Sequence, residues 1–273
     1  MQLRALSPAL GIEVQGVDLA RPLDEERFRR IERAWHQGLI LLFRGQDIDE
    51  AGQAAFGARF GELGKVLHEH DGRGRHPGVM YISNIVEGGK LIGALPDGEM
   101  YFHSDQCYTE RPAMATMLYA MEIPSRGGNT LFANMYRAYE TLPPEIKQRL
   151  EGKKACNVYD YAANPTKRGH TAGDAPRYSH PIVRTHPATK RKALYVNRLM
   201  TESIDGLPRA ESDELLELLF DHTERPQFIY EHRWRPGDLI LWDNRCTLHA
   251  RTDFDASERR KLRRVAILGD VPA

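Results

Sequence analysis

The sequence is short of cysteine, of long apolar runs and of surplus charge of either sign, and each shortage removes a class of function. Its 273 residues include three cysteines, Cys107, Cys156 and Cys246. They are odd in number, widely spaced and outside any C-x-x-C pattern. That argues against a disulfide framework or a thiolate zinc site and leaves them as small buried hydrophobes. Apolar stretches such as residues 38–43 fall far below the roughly 20 residues of a membrane helix, and the N-terminus lacks a signal peptide's apolar stretch. A soluble, cytoplasmic chain with no membrane partner is expected. Lys plus Arg and Asp plus Glu both number 38. No global field therefore draws the chain to nucleic acid or an anionic surface, and a charged ligand has to be captured locally.

What is present is a series of short, β-rich segments with a few amphipathic interruptions. Residues 24–36, where Phe28, Ile31 and Trp35 share a face, and residues 210–220 carry the 3.6-residue period of helices. Residues 39–43, 79–83, 116–121, 182–185, 194–197, 228–234, 239–242 and 265–268 are rich in β-branched and aromatic side chains and predict strands. Pro, Gly and charged residues at 124–128, 187–190 and 236–238 supply reversals between them. Residues 162–177 show no period and predict a long mobile loop, either an active-site lid or a surface excursion. The pattern is mainly β with helices, a sandwich or jelly roll in one domain spanning 1–273.

Chemistry gathers at two places. In Tyr101-Phe102-His103-Ser104-Asp105 the histidine and the aspartate are two residues apart in a segment that reads as extended, which puts both on one face. A second histidine from a distant strand would complete a 2-His-1-carboxylate face with three coordination positions open, as a non-haem Fe(II) oxygenase requires. By itself H-x-D is a weak motif. Near the C-terminus, Trp242-Asp243-Asn244-Arg245 leads to His249, the candidate third ligand. It is followed by Arg260-Lys261-Leu262-Arg263-Arg264. If that run is extended, Arg260 and Arg264 face one way and Arg263 the other, so two guanidiniums can line one pocket and grip carboxylates. A metal face beside a carboxylate clamp suits a 2-oxo dicarboxylate. Two other readings stay open here: a zinc-dependent hydrolase using the same His-Asp-His set, and a non-catalytic jelly-roll module that holds a small anion. His222 with Glu224 is a weaker metal candidate, because residues two apart at a helix end do not face each other.

Taken in order along the chain, the motifs resemble the taurine dioxygenase and dichlorophenoxyacetate dioxygenase family of Fe(II)- and 2-oxoglutarate-dependent oxygenases. The resemblance is carried by Phe102-His103-Ser104-Asp105, the run from Pro124 to Met135, the run from His180 to Pro187, Trp242-Asp243-Asn244-Arg245 with His249, and Arg260 with Arg264. Residues 11–19 and 60–63 add to it, so it covers essentially the whole chain. It implies a double-stranded β-helix, a cupin-like jelly roll with inserted and flanking helices, assembled as a homo-oligomer. It also implies a dioxygenase whose Fe(II) is held by His103, Asp105 and His249. Arg260 and Thr130 would hold 2-oxoglutarate, and O₂ would be the second co-substrate. Arg264 matches the position that, in the taurine-specific relatives, pairs with the anionic group of the primary substrate, and His68, His70, Asn84 and Tyr101 are candidates for lining the same space. Because Asp105 is present where related halogenases have a small residue, the implied outcome is hydroxylation of a small anion such as a sulfonate, an aryloxy acid or an amino-acid derivative, with release of succinate and CO₂.

Overall fold

Two aspartates start the helices that back the main sheet. In this computed structural model, which describes residues 1–64, 74, 76–94, 100–159 and 175–273, the Asp24 carboxylate accepts from the Arg27 amide at 2.8 Å and opens the helix Glu25–Gly38. Asp49 accepts from Gly52 at 2.7 Å and opens Glu50–Ala58. Each carboxylate satisfies an amide that has no partner within the first turn. The expected face of the first helix is buried, with Phe28, Ile31, Ala34 and Trp35 inside. Burying a side chain of this size contributes about 1.5–3 kcal/mol.

Seven strands form the main sheet in the order Gln2–Ala5, Ile12–Gln15, Ile40–Phe43, Leu239–Asp243, Ala113–Glu122, Lys261–Leu268 and Val79–Ser83. All neighbours are antiparallel except Ile12–Gln15 beside Ile40–Phe43. A smaller antiparallel sheet has the order Ile229–His232, Thr130–Asn134, Thr247–Arg251. The two-residue alternation of the strands divides the core. Leu41, Phe43, Leu241 and Val265 pack with Ile31, Trp35 and Phe56 of the helices. Ile40, Leu42, Ile240 and Trp242, from the same strands but the opposite face, pack with Phe132, Ala133 and Leu248 of the smaller sheet. The main sheet is thus buried on both faces, which explains why its central strands read as continuous apolar runs.

The expected helix at 210–220 is longer, Arg209–Thr223, and the strand expected at 116–121 runs from Ala113 to Glu122. The strand expected at 194–197 is displaced to Lys192–Leu194. Asn197 instead accepts from the Met200 amide at 2.8 Å, and the Asn197 amide donates to Thr201 Oγ1 at 2.9 Å, so its side chain favours a turn over a ladder. Residues 162–174 of the expected loop lie outside the described residues, as do His68 and His70. Cys107 and Cys246 are buried, Cys156 is half-buried, and no disulfide joins them. Among the described residues no helix is long and apolar enough to cross a membrane.

Candidate metal centre

The two candidate histidines meet through their own backbones. His103 and His249 form an isolated antiparallel bridge, each amide donating to the other's carbonyl at 2.9 Å. The Tyr101 carbonyl lies 2.9 Å from His103 Nδ1. A carbonyl only accepts, so Nδ1 carries the proton and Nε2 keeps the lone pair that a metal needs. His249 comes from the strand Thr247–Arg251, and its ring lies 4.1 Å from that of His103 and 4.7 Å from that of Trp242, centroid to centroid.

Asp105 reaches the same point by a different route from the one its spacing suggests. Residues 101–105 are not a strand. His103 makes only the single bridge, and the backbone then turns, with Gln106 at φ +57°. What replaces the ladder is Asn244, whose carbonyl accepts from Ser104 Oγ at 3.0 Å and whose Oδ1 accepts from the Asp105 amide at 3.4 Å. The Asp105 carboxylate accepts from Thr116 Oγ1 at 2.5 Å and from Asn244 Nδ2 at 3.4 Å through Oδ2, and pairs with Arg264 Nη2 at 2.9 Å through Oδ1. Burial pushes this carboxyl up, but the Arg264 guanidinium, the two imidazoles and the Thr116 hydrogen bond together hold it well below the usual carboxylate range. It is ionised at neutral pH.

One ligand atom from each of His103, Asp105 and His249 lies within 4.8 Å of the others, and all three residues are buried. Two imidazole nitrogens and one carboxylate oxygen, with no thiolate, form a donor set that suits ferrous iron and leaves half of an octahedron open. A second buried group, His186, Asp243 and Cys246, is as close together but does not fit a metal. Asp243 is taken by Arg245 at 2.8 and 2.6 Å and by His186 Nε2 at 3.0 Å. Burial, with Asp243 nearby, drives the Cys246 thiol well above its ordinary value and keeps it protonated. This group is an ion-pair network that anchors the turn at 243–246.

Arg260 lies one residue before the strand Lys261–Leu268. It is 5% exposed, its Nε donates to the Gly128 carbonyl at 3.3 Å, and no carboxylate among the described residues pairs with it. Burial, and then the neighbouring Arg251 guanidinium, pull it down to about 9. A buried cation in this position calls for an anion. Thr130, two residues beyond Gly128, is also buried and sits opposite Arg251 in the smaller sheet.

The remaining expected residues are spread differently. Arg264 faces the candidate ligand Asp105, and Arg263, on the opposite face, bonds Gln53 at 2.7 Å, as the alternation required. Asn84 is engaged by the backbone: its Oδ1 accepts from the Arg260 amide at 2.9 Å and its Nδ2 donates to the Glu258 carbonyl at 2.9 Å. It therefore holds the segment that carries Arg260. Tyr101 lies at the surface, 37% exposed. His222 bonds the Ala138 carbonyl at 2.8 Å, and Glu224 bonds Arg198 at 2.9 Å, so the two do not form a site. Thr116, Asn244, Arg251 and Trp234 are additions from the structure. Arg251 and Asn244 had a sequence signal: Arg251 stands two residues after His249 and so shares its face in a strand, and Asn244 lies in the Trp242-Asp243-Asn244-Arg245 motif.

A mainly β chain that brings two imidazoles and a carboxylate to one point, with a buried arginine nearby awaiting an anion, has the form of a non-haem iron oxygenase that consumes a 2-oxo acid. The chain belongs to the taurine catabolism dioxygenase TauD, TfdA family, whose model matches residues 2–266. It is 34% identical to the pentalenolactone F synthase of Streptomyces arenae over 97% of this chain and 94% of that one. It is also 34% identical to the alpha-ketoglutarate-dependent 2,4-dichlorophenoxyacetate dioxygenase of Cupriavidus pinatubonensis, over 97% and 96%. Among solved structures it resembles AAD-2 in complex with Mn(II) and N-oxalylglycine, with a TM-score of 0.83, 30% identity and coverage of 99% and 98%. The chain is accordingly an oxidoreductase of the 2-oxoglutarate-dependent dioxygenase class, working with Fe(II), 2-oxoglutarate and O₂ on a small molecule.

Proposed function

We propose that His103, Asp105 and His249 hold the ferrous ion, that Arg260 and Thr130 take the far carboxylate of 2-oxoglutarate, and that the enzyme hydroxylates a small organic anion. The observation that carries this reading is the buried, anion-seeking Arg260 in a chain whose three candidate ligands converge within 4.8 Å of one another. A zinc hydrolase would leave that charge without a purpose, and a silent anion-binding module would have no use for three converging ligands. Iron bound there supplies the activation of O₂ that couples decarboxylation of 2-oxoglutarate, to succinate and CO₂, with hydroxylation. The protein's own residues do the rest. His103 presents Nε2 because Tyr101 holds Nδ1, Asp105 is kept ionised by Arg264, and Arg260 orients the dicarboxylate by its far end.

The substrate reading rests on Arg264. A guanidinium has five N–H donors, and the contact with Asp105 is made through Nη2, so an anionic substrate can share the same side chain. A relative that acts on dichlorophenoxyacetate supports an aryloxy acid, and a sulfonate or an amino-acid derivative presents the same anionic handle. Hydroxylation next to the heteroatom would make the product fall apart. In architecture, the two facing sheets support a double-stranded β-helix. The first and last strands of the chain lie in one sheet, which supports a single catalytic domain over 1–273. The family resemblance supports a homo-oligomer.

Anaerobic addition of Fe(II) and then 2-oxoglutarate is expected to produce a weak visible charge-transfer band. Asp105→Ala is expected to lose both the band and succinate formation with every candidate substrate. Wild-type succinate release in that variant would refute the assignment.

A further inference from the structure

Thr130 has a hydroxyl that can donate once and accept twice, and the structure shows how that capacity is divided. Trp234 Nε1 lies 3.0 Å from Thr130 Oγ1. An indole N–H only donates, so the threonine oxygen accepts here and its own hydrogen is not used in the contact. Among the described residues no other partner takes that hydrogen. Both side chains are buried, Trp234 at 6% and Thr130 at 3% exposed. The indole is fixed in turn. Its ring stands edge-on to His232, 4.5 Å away at 88°. His232 lies against Tyr230 and Asp238, both at 3.2 Å. Asp238 is pinned by Arg44 at 2.7 Å and by the Arg235 amide at 2.9 Å.

We infer that Trp234 is a positioning residue for the co-substrate: by donating to Thr130 it makes the hydroxyl a committed donor, aimed at the same anion as Arg260. A carboxylate only accepts. A hydroxyl free to rotate could present either a lone pair or its hydrogen, whereas one already accepting from the indole presents its hydrogen. Trp234 thereby favours 2-oxo acids with a second carboxylate over those with a neutral tail. The inference rests on the placement of that carboxylate at Arg260 and Thr130.

The test is equilibrium binding to the full-length protein, anaerobic and loaded with Mn(II), by calorimetry. The two probes are 2-oxoglutarate and 2-oxovalerate, which lacks the distal carboxylate. Wild type is expected to prefer 2-oxoglutarate. Trp234→Phe should weaken 2-oxoglutarate binding by roughly 5- to 10-fold, the size of one lost hydrogen bond, and leave 2-oxovalerate unchanged. Thr130→Val should do the same, and the double variant should be no worse than Thr130→Val alone. If the phenylalanine variant does not fold, benzothienylalanine at position 234 removes the N–H and keeps the ring's shape. Equal weakening of both probes, or losses that add in the double variant, would overturn the role of Trp234 alone. A wild-type protein that binds the two probes equally would overturn the placement of the carboxylate itself.

Discussion

Asp105 needs a fixed orientation if it is to donate one oxygen to a metal, and three neighbours set that orientation. Thr116 and Asn244 hold Oδ2, and Arg264 meets Oδ1. Contacts behind a ligand of this kind typically change metal affinity by about 10- to 100-fold. Thr116→Val keeps the shape but removes the 2.5 Å hydrogen bond, and a competitive Fe(II) or Mn(II) titration is expected to show a loss in that range, while Thr116→Ser stays near wild type. Equal affinity in all three proteins would show that Asn244 and Arg264 suffice. At this scale the candidate ligands His103, Asp105 and His249 were legible as a set, because the weak H-x-D motif was read together with His249 and the arginines that follow it. Their supporting contacts were not legible. Thr116 is 11 residues from Asp105, and an isolated Thr has no spacing that marks it; Asn244 lies in the motif Trp242 to Arg245, but its contact with Asp105 spans 139 residues.

Among the elements, the turn at 124–128 decides where Arg260, the cation proposed for the co-substrate, sits. Gly127 has φ +71°, and a Cβ there would lie 2.0 Å from the Asp253 carbonyl oxygen. The turn is closed by the Gly128 amide on that carbonyl at 3.1 Å and by Ser125 Oγ on Glu258 at 2.8 Å. The Gly128 carbonyl then receives Arg260 Nε. Gly127→Ala combines a backbone conformation that suits glycine with a clash that cannot be relieved by rotating a side chain. It is expected to lower stability by more than about 1 kcal/mol and to raise the Kd for 2-oxoglutarate, measured by denaturant melts and the anaerobic titration respectively. Unchanged 2-oxoglutarate binding in a folded variant would show that Arg260 is placed without the turn. Pro and Gly announced a reversal at 124–128 in the sequence. That its carbonyl would serve an arginine from the far end of the chain could not be read there, because the contact spans 132 residues.

For the molecule as a whole, pH stability follows from buried titratable groups. Burial holds His180, His222 and His232 below the ordinary imidazole value of 6.5. As pH falls through 6.5 the unfolded chain takes up protons before the folded one does, so stability is full above that value and is lost on the way down. Asp243 behaves as a second such group at lower pH. Burial raises it, but Arg245 and His186 outweigh that and hold it well below its ordinary 3.8. Its contribution is complete above 3.8 and disappears only in stronger acid. Melting followed by circular dichroism on metal-free protein should show Tm falling from about pH 7 to about pH 5, with a further loss below about pH 4. A Tm that rises on acidification from neutrality would mean that these imidazoles are charged in the fold.

By itself the sequence determined the local periods and the reactive side chains. Phe28, Ile31 and Trp35 had to share a buried face, residues 39–43 and 239–242 had to be strands, and His103, Asp105, His249 and Arg260 were the groups capable of the chemistry. Such features depend on residues close in the chain or on chemistry a side chain carries anywhere. Tertiary structure alone decided that His103 and His249 would pair through their backbones, that residues 101–105 would turn instead of running on as a strand, and that Arg264 would face Asp105. It also decided that an indole would set the direction of the Thr130 hydroxyl. Each of these is a contact across many residues, fixed by which sheet face meets which, and that is settled only when the two sheets close over their shared core.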